Sequence, residues 1–560
     1  MPLNGVQAAL EVLAGFGVRY LFGNPGTTEL PLSDAMAAER RIRYILGLQE
    51  VPVVAMADGY AQASGSVGVV NLHICCGLGN AMGMIYNAYR EHSPLVITAG
   101  QQDQRFAFEE PILWGRMVDV ARPWTKWAEE IRRAEDVPSA FRRAVQTALT
   151  PPRGPVFLAL PLDVQTAEVG EQIDLRPPSV PSALVAPDPE ALDRGAAVLA
   201  SAENPGILAG NRIAEAEAVD ALVAVAERLG APVMHEASTS HGRCAFPSTH
   251  PLAAPALPFW SPEVRRRLDE FDVVLVAGMK LPQLYIYHEP ARAVPEHVRL
   301  VQIDDDAWQL GKNDPVEVGL LGHPRVALEQ LAARLDRAMT APQREAARRR
   351  GRRRAETLAE ARRALRAEAE SLRGARPSAA MYLMETLARV LPDDVAVVEE
   401  APTTTMGCYF ERAGALKNTD GYFAQRGWAL GWGLGCAIGV KLAWPDRPVL
   451  ALIGDGAAMY GVQGLWTAAH YRIPVTFVLC NNRQYKILKD CARVLRLPEA
   501  LAGRYEGLDL VDPAIDYVAL GRSLGVEAER FAQADALAEA VAASLAEGTL
   551  RLFEIEVGEG

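Results

Sequence analysis

The sequence lacks the cysteine pattern, the surplus of basic residues and the long apolar run that would define several classes of protein. Its seven cysteines are an odd number without regular spacing, which argues against a disulfide scaffold and favours a reducing compartment. A formal charge of −12 provides no positive field to attract a nucleic acid. No apolar stretch reaches the about 18 residues that a membrane span needs, and Met1–Tyr20 does not resemble an export signal. We therefore expect a cytoplasmic protein that binds neither nucleic acid nor a membrane.

What the sequence does contain is enough apolar material for several cores. It has 560 residues, of which 49% are apolar and 22% are charged, as in ordinary globular proteins. A single hydrophobic core rarely serves a chain of this length, so we expect about two to four domains, and three fit well.

Short apolar runs alternate with stretches of helical spacing along most of the chain, which is typical of α/β domains with parallel sheets. The beginning and the end of the chain share this character, which suggests two related α/β domains that flank a different, middle α/β domain. A proline-rich stretch from Glu168 to Pro189 is the expected linker between the first two. The predicted parts are an N-terminal domain (1–180), a central domain (187–337), a helical connector (338–376) and a C-terminal domain (377–560).

The connector is rich in Arg, Ala and Glu and includes the basic run Arg348–Arg354. A basic run can bind a polyanion, but Arg and Glu side chains along a helix also pair with one another. Because helix-forming residues persist throughout the connector, we favour a solvent-exposed helix.

The central domain carries glycines that could line a nucleotide, namely Gly206, Gly210 and Gly278. No G-x-G-x-x-G motif follows a strand in this domain, so the pattern supports a dinucleotide site only weakly. Whether the domain binds FAD is left open.

Two polar motifs follow neighbouring apolar runs in the C-terminal domain. Gly454-Asp455-Gly456 follows the run Pro448–Ile453, and Asn481-Asn482 ends the run Val475–Cys480, with a helical stretch between them. Such a unit places the Asp and the second Asn at the carboxyl ends of adjacent parallel strands. Oxygen ligands there suit Mg²⁺ or Ca²⁺, and the glycines allow a phosphate to approach closely. Each motif alone is an ordinary turn, but together they predict a site for a metal-bridged diphosphate.

Two titratable side chains stand near strand–helix junctions of the N-terminal domain. Glu50 follows the strand-like run Tyr44–Leu48 and opens a helix, and His73 lies in a later apolar run before a turn at Gly77–Asn80. Taken alone, Glu50 is most simply a carboxylate stabilised by a helix N-terminus, and His73 a buried structural histidine.

With these motifs in place, the sequence resembles the thiamine diphosphate enzymes of the decarboxylase and acetolactate synthase group. The segment from Gly454 to Asn482 matches the metal–diphosphate motif of that group. Further matches run through all three predicted domains. They include Phe22–Thr27, Tyr44–Glu50, Ala57–Ser64, Asn71–His73, Gly79–Gly83, His92–Leu95, Thr98–Gln102, Arg243-Cys244, Phe246-Pro247 and Leu465–Ala469.

The resemblance implies thiamine diphosphate and Mg²⁺ as cofactors. Asp455, Asn482 and the main-chain carbonyl of Gln484 would be the metal ligands. The residues that would contact the diphosphate are Gly454, Gly456 and Ala457.

The resemblance also assigns residues to the rest of the cofactor. Glu50 would hydrogen-bond the aminopyrimidine ring and promote the tautomer that takes a proton from the thiazolium carbon. Leu430 would hold the cofactor in its bent form, and Tyr460 would line the pocket beside it.

Three residues are implied to act on the substrate. His73 matches the active-site histidine of the family, and His288 matches, less closely, a second histidine from the middle domain; imidazole suits proton transfer near neutral pH. Thr27 stands where a close relative has serine, and its hydroxyl would hold the substrate carboxylate.

The implied activity is decarboxylation of an aromatic or bulky 2-keto acid, with release of an aldehyde and carbon dioxide. The acyl carbanion that decarboxylation leaves is too unstable for a side chain to hold, so a cofactor must act as electron sink. The alternatives are carboligation as in acetolactate synthase, cleavage of a hydroxyketone, and a non-catalytic scaffold that keeps only the fold. His73 weighs against a synthase, and the intact Glu50, Asp455 and Asn482 argue against a scaffold.

The family's subunit arrangement implies a homodimer or homotetramer, because the cofactor lies between the first domain of one subunit and the third domain of another. Glu50 and Asp455 would then act across an interface. Departures from the family pattern concern the substrate. The cations Arg426, Arg483 and Lys486 would suit a second acidic group on the substrate, unless they lie at the surface.

Overall fold

The computed structural model describes residues 3–170, 173–236, 242–279, 285–289 and 292–558. The chain forms two compact units. The first comprises residues 1–182, 427–530 and 543–554, and the second comprises residues 183–426, 531–542 and 555–560. Among the described residues, no helix is both long enough and apolar enough to cross a membrane.

The N-terminal part of the first unit is a parallel α/β sheet with its helices. The strands are β1 Tyr20–Gly23, β2 Arg43–Leu46, β3 Gly68–Leu72, β4 Leu95–Gln101, β5 Trp127–Glu130 and β6 Val156–Pro161. The helices are α1 Gly5–Phe16, α2 Leu30–Ala38, α3 Glu50–Ser64, α4 Ile74–Glu91, α5 Met117–Ala121, α6 Val137–Leu149 and α7 Leu162–Thr166. The strand order is β2-β1-β3-β4-β6-β5, and every pair is parallel. Helix α4 begins directly after His73, so the predicted turn at Gly77–Asn80 lies inside its first turns.

The second unit contains another parallel sheet and a long helix. The strands are β7 Pro205–Ala209, β8 Val233–His235, β9 Val273–Ala277, β10 Arg299–Asp304, β11 Val318–Leu321, β12 Ala396–Glu400 and β13 Tyr422–Ala424. The helices are α8 Pro189–Ala200, α9 Asn211–Glu215, α10 Val219–Leu229, α11 Ser261–Leu268, α12 Pro324–Ala338, α13 Ala341–Ser371, α14 Ala380–Ala388, α15 Pro402–Thr405 and α16 Tyr409–Ala413. Five strands have the order β11-β10-β9-β7-β8, and β12 pairs in parallel with β13. The helix predicted for the connector is present as α13.

The glycines of the central domain serve close packing. Gly210 and Gly278 follow β7 and β9, and the Gly210 N–H donates to the carbonyl of Ala277 (3.0 Å). A Cβ added to Gly210 would lie 2.2 Å from the Cβ of Met279. Beside them, buried Arg212 forms ion pairs with Asp304 and with Asp305 (3.1 Å). At these strand ends Gly210 and Arg212 therefore pack against the protein's own backbone and side chains.

The C-terminal part of the first unit repeats the arrangement of the N-terminal part. The strands are β14 Val449–Gly454, β15 Thr476–Asn481, β16 Glu527–Phe531 and β17 Arg551–Glu556. The helices are α17 Trp432–Ala443, α18 Asp455–Ala458, α19 Gly464–Tyr471, α20 Lys486–Val494, α21 Pro498–Leu501 and α22 Tyr517–Ser523, and α23 Ala534–Glu547 is divided between the two units. The order β14-β15-β17-β16 matches β3-β4-β6-β5 position by position.

Helices α3 and α17 cross closely within the first unit. A Cβ added to Gly439 would lie 2.0 Å from the carbonyl oxygen of Met56, and one added to Gly59 would lie 2.3 Å from that of Cys436. Only glycine therefore allows the two backbones to approach this closely. Where the helices meet, the indole N–H of Trp432 donates to Asp58 (2.6 Å), whose complete burial raises the pKa of its carboxyl group.

Candidate active site

The predicted metal motif lies at the end of two adjacent parallel strands. Strand β14 pairs with β15, and Gly454 lies opposite Cys480. Asp455 begins helix α18 and is buried, and Asn482 directly follows β15. The N–H of Arg483 donates to Asp455 Oδ2 (2.7 Å), and the N–H of Gln484 donates to Asn482 Oδ1 (3.1 Å). The β–α–β unit predicted from the sequence is therefore confirmed, and it brings the Asp and Asn oxygens to one edge of the sheet.

The chemistry of this edge fits a hard divalent cation. Burial raises the pKa of Asp455 to about 6, while backbone N–H donors, including that of Gly456, favour its ionised form. A Cβ added to Gly456 would lie 2.5 Å from the ring of Tyr485, so a larger residue there would have to displace that ring. The donors are carboxylate and amide oxygens, which Mg²⁺ prefers. A bound cation would stabilise the ionised carboxylate that burial disfavours.

The segment that carries Leu430 is held in place by hydrogen bonds from helix α4. Asn87 Nδ2 donates to the carbonyl of Ala429 (2.8 Å), and the N–H of Ala429 donates to Asn87 Oδ1 (3.1 Å). Leu430 is half-buried, and Gly431 follows it with φ of 95°. A Cβ added to Gly431 would lie 2.7 Å from the Cβ of Tyr460. Tyr460, the predicted pocket residue, therefore packs against the segment that carries Leu430.

Glu50 is a buried carboxylate whose oxygens are held by amide side chains. It is the first residue of α3 and is 5% exposed. Asn24 Nδ2 donates to its Oε1 and Asn80 Nδ2 donates to its Oε2, each over 3.0 Å. A carboxylate that is only stabilised by a helix N-terminus needs no such partners. Two side chains from other elements fix the orientation of the Glu50 carboxylate, as a site residue requires.

His73 is paired with a carboxylate that the sequence analysis did not single out. Its Nδ1 lies 2.8 Å from Oε2 of Glu29, which is 1% exposed. Glu29 also accepts from the hydroxyl of Thr28 (2.8 Å) and from the N–H of Gly100 (2.8 Å) and of Gly26 (3.1 Å). An ionised carboxylate only accepts hydrogen bonds, so His73 donates from Nδ1 and keeps Nε2 for proton exchange.

Two further predicted residues are less enclosed. Thr27 is exposed, and its hydroxyl forms no hydrogen bond within the part of the chain that is described; the neighbouring Thr28 is the threonine that approaches His73, at 3.5 Å from Nδ1. His288 belongs to the second unit, where its ring packs on Trp260 with centroids 4.9 Å apart. The other predicted residues, which include Glu50, His73, Leu430 and Asp455, all belong to the first unit.

Two of the three cations considered for a second acidic group on the substrate, Arg426 and Lys486, have carboxylate partners in the protein. Arg426 is buried against Glu236, with its Nη2 3.0 and 2.7 Å from the two carboxylate oxygens. Lys486 pairs with Asp490 (2.7 Å) one turn along α20. Because these carboxylates neutralise both charges locally, neither cation supports a second acidic group on the substrate.

Comparison with known families identifies all three parts of the chain. Residues 3–110 match the model of the thiamine pyrophosphate enzyme N-terminal TPP binding domain, residues 192–331 the central domain, and residues 405–555 the C-terminal TPP binding domain. The chain belongs to the thiamine pyrophosphate enzymes. The predicted fold class, two cofactor-binding α/β domains that flank a middle α/β domain, is confirmed.

Individual relatives narrow the comparison. The chain is 36% identical to benzoylformate decarboxylase of Pseudomonas aeruginosa over 556 residues, which cover 98% of each chain. It is 26% identical to the acetolactate synthase large subunit of Haemophilus influenzae, over 87% of this chain and 84% of that one. Among solved structures, a thiamine diphosphate-dependent 4-hydroxybenzoylformate decarboxylase of Rhodococcus jostii matches with a TM-score of 0.86 at 31% identity, covering 100% of both chains. The prediction of a thiamine diphosphate-dependent carbon–carbon lyase related to benzoylformate decarboxylase is confirmed, and the synthase alternative is not favoured.

Proposed function

We propose that the protein decarboxylates an aromatic 2-keto acid such as benzoylformate and releases the aldehyde and carbon dioxide. The observation that carries this proposal is the His73–Glu29 pair (2.8 Å), a histidine of defined tautomer in the same unit as Glu50 and Asp455. Full-length similarity to enzymes named for benzoylformate and 4-hydroxybenzoylformate supports the substrate class.

The proposed cofactors are thiamine diphosphate and Mg²⁺. Asp455, Asn482 and the carbonyl of Gln484 would hold the metal, and Gly454, Gly456 and Ala457 would face the diphosphate. The set supplies one carboxylate, so the protein alone carries little charge for a divalent ion. We therefore expect the metal to bind tightly only together with the diphosphate. When bound, the thiazolium supplies the electron sink that decarboxylation requires.

The chain's own residues would manage protons and orientation. Glu50, held by Asn24 and Asn80, would hold a proton for the aminopyrimidine ring, and Leu430 and Tyr460 would shape the pocket beside it. His73 would exchange a proton at Nε2, because Nδ1 is engaged by Glu29.

The remaining candidates would act on the substrate directly. The exposed hydroxyl of Thr27 would bind the substrate carboxylate. His288, whose Nδ1 lies 3.2 Å from the carbonyl of Ile286, would be a second proton donor or acceptor from the central domain.

We further propose a homodimer or homotetramer in the cytoplasm, with each cofactor at a subunit interface. The first unit exposes large apolar side chains that a partner would cover, among them Phe108 (93% exposed) and Ile112 (87%). All seven cysteines are free thiols, as expected in a reducing compartment.

Incubation with a panel of 2-keto acids, with and without an acceptor aldehyde, tests the activity. We expect the purified protein, supplied with thiamine diphosphate and Mg²⁺, to release carbon dioxide and an aldehyde from benzoylformate without an acceptor. Product that forms only when an acceptor aldehyde is present would instead identify a carboligase. Absence of turnover with every keto acid would contradict the proposed activity and favour a non-catalytic scaffold.

A further inference from the structure

A buried carboxylate lies behind the loop that carries the proposed metal ligands. Glu554 is on β17 and is 1% exposed. Its Oε1 accepts from Asn481 Nδ2 (2.8 Å), and its Oε2 accepts from Nε of Arg530 (2.9 Å) on the neighbouring strand β16. Arg530 is half-exposed and also reaches Asp516 (3.2 Å). The buried charge of Glu554 is thus paired with a cation and hydrogen-bonded to an amide, as a buried carboxylate requires.

This carboxylate determines which way the Asn481 side chain faces. An amide has a donor end and an acceptor end, whereas an ionised carboxylate only accepts. Asn481 must therefore turn its Nδ2 toward Glu554, which directs its Oδ1 to the N–H of Arg483 at 3.1 Å. The carboxylate of Glu554 and the N–H of Arg483 therefore favour the same orientation of the amide.

The N–H that Asn481 receives belongs to the centre of the metal-binding loop. Arg483 stands between Asn482 and Gln484, and the same N–H also donates to Asp455 Oδ2 (2.7 Å). The backbone of Arg483 is in the left-handed region, with φ of 57°, which a side chain other than glycine disfavours. Hydrogen bonds from outside the loop are therefore needed to hold this conformation.

Space beside the loop makes these hydrogen bonds more important. A cavity of about 170 Å³ is lined by Asp455, Asn481, Arg483, Tyr517, Arg530 and Glu554, among others. The loop is therefore not closely packed on this side. On its other side the loop is held by backbone hydrogen bonds, from the N–H of Leu510 to the carbonyl of Arg483 (2.7 Å) and from the N–H of Tyr485 to the carbonyl of Leu508 (2.8 Å). On the cavity side, the hydrogen-bonded chain from Arg530 through Glu554 and Asn481 adds a constraint on the N–H of Arg483.

We propose that Glu554 is a positioning residue for the metal: through Asn481 it sets the conformation of the loop that presents Asn482 and the carbonyl of Gln484. The inference rests on the proposed metal site. Residues that orient metal ligands without touching the metal commonly change metal affinity about 10- to 100-fold when replaced.

The test is Mn²⁺ binding to the full chain in the presence of thiamine diphosphate, measured from the electron paramagnetic resonance signal of free Mn²⁺. We expect Glu554→Leu to weaken Mn²⁺ binding at least about 10-fold. Glu554→Gln should weaken it less, because the new amide keeps the size of the side chain and one oxygen that can accept from Asn481.

Thr476→Val is the matched control. Thr476 is buried at the start of β15, the strand that ends at Asn481, and it hydrogen-bonds Ser544 (2.7 Å). Its replacement should lower the unfolding temperature but leave Mn²⁺ affinity within about twofold, because it removes one hydrogen bond far from the loop.

The outcomes separate this inference from the proposed function. A folded Glu554→Leu variant that binds Mn²⁺ as tightly as the unchanged protein would overturn the role of Glu554. If the unchanged protein binds no Mn²⁺ with thiamine diphosphate, the proposed metal site itself fails. Equal losses in Glu554→Leu and Thr476→Val would show a general structural effect and would also overturn the inference.

Discussion

A proton moved at the reacting centre requires a side chain whose tautomer is fixed. His73 meets this condition because Glu29 holds Nδ1, and Glu29 is itself fixed by Thr28, Gly26 and Gly100. The pair joins residues 44 positions apart in the sequence. The resemblance pointed to His73, but only the folded chain shows that Glu29 is its partner. Glu29 directly follows the matching segment Phe22–Thr27 and Thr28, which was the one available signal.

Replacing Glu29 by Gln should slow turnover with little change in substrate binding. The amide can donate where the carboxylate only accepted, so His73 can take the other tautomer and lose the proton-exchanging role of Nε2. We expect kcat for benzoylformate to fall roughly 100-fold, which is within the range for general acid–base catalysis. Steady-state kinetics over a range of pH measures this, since the pH profile should change shape as well as height.

Glu11→Gln is the control for the Glu29 variant. Glu11 is partly exposed and pairs with Arg41 on the surface. Its replacement should leave kcat unchanged, because an exposed ion pair contributes little. A kcat for Glu29→Gln within twofold of the unchanged protein would contradict the pairing.

At the scale of the elements, strands with a clear apolar run were predictable, including the edge strand β2, and strands of mixed exposure were not. The run before Gly454 and the run before Asn481 are buried central strands, so their apolar residues identified β14 and β15 without knowledge of their partners. Strands β5 and β16 lie at sheet edges and have mixed exposure, so they contain no apolar run. They were not predicted, because they can be recognised only from their pairing with a neighbouring strand. The crossing of α3 and α17 was not predicted either. Its glycines are needed only because each contacts a helix that is far away in the sequence.

Gly439→Ala tests that helix crossing. The added Cβ would lie 2.0 Å from the carbonyl oxygen of Met56, so the helices must separate. We expect a loss of about 1–3 kcal/mol in the free energy of unfolding, as for other overpacked sites. Denaturant unfolding followed by circular dichroism measures it.

Gly464→Ala on α19 is the matched control for the crossing. The nearest atom to its added Cβ is 3.5 Å away, which is ordinary contact. This variant should be neutral or slightly stabilising, because alanine restricts the unfolded chain more than glycine. Equal unfolding free energies for the two variants would show that the crossing is not tight.

At the scale of the whole molecule, the net charge bears on solubility and the exposed apolar surface bears on association between subunits. The net charge of −12 favours solubility and gives no general attraction for polyanions. Yet Phe108, Ile112 and Leu501 are large apolar side chains that are exposed in the first unit. Such side chains suit an interface between subunits.

Size-exclusion chromatography with light scattering tests the proposed assembly. We expect a mass two or four times that of the 60.6 kDa chain, because subunit contacts would cover the exposed apolar residues. Samples with and without thiamine diphosphate and Mg²⁺ serve as a pair, and the cofactors should favour the larger species if they bind at the interface. A single-chain mass for fully active protein would rule out a shared site.

The most direct test of the central claim is the rate of carbon dioxide release from benzoylformate by the protein and by its Glu50→Gln variant, both saturated with thiamine diphosphate and Mg²⁺. The account predicts steady release by the unchanged protein and a loss of at least about 100-fold in the variant, because the amide cannot exchange the proton that the carboxylate would. Cofactor binding, followed by quenching of tryptophan fluorescence, should remain largely intact in the variant. Equal rates of release by the two proteins would contradict the role of Glu50 and the proton pathway built on it.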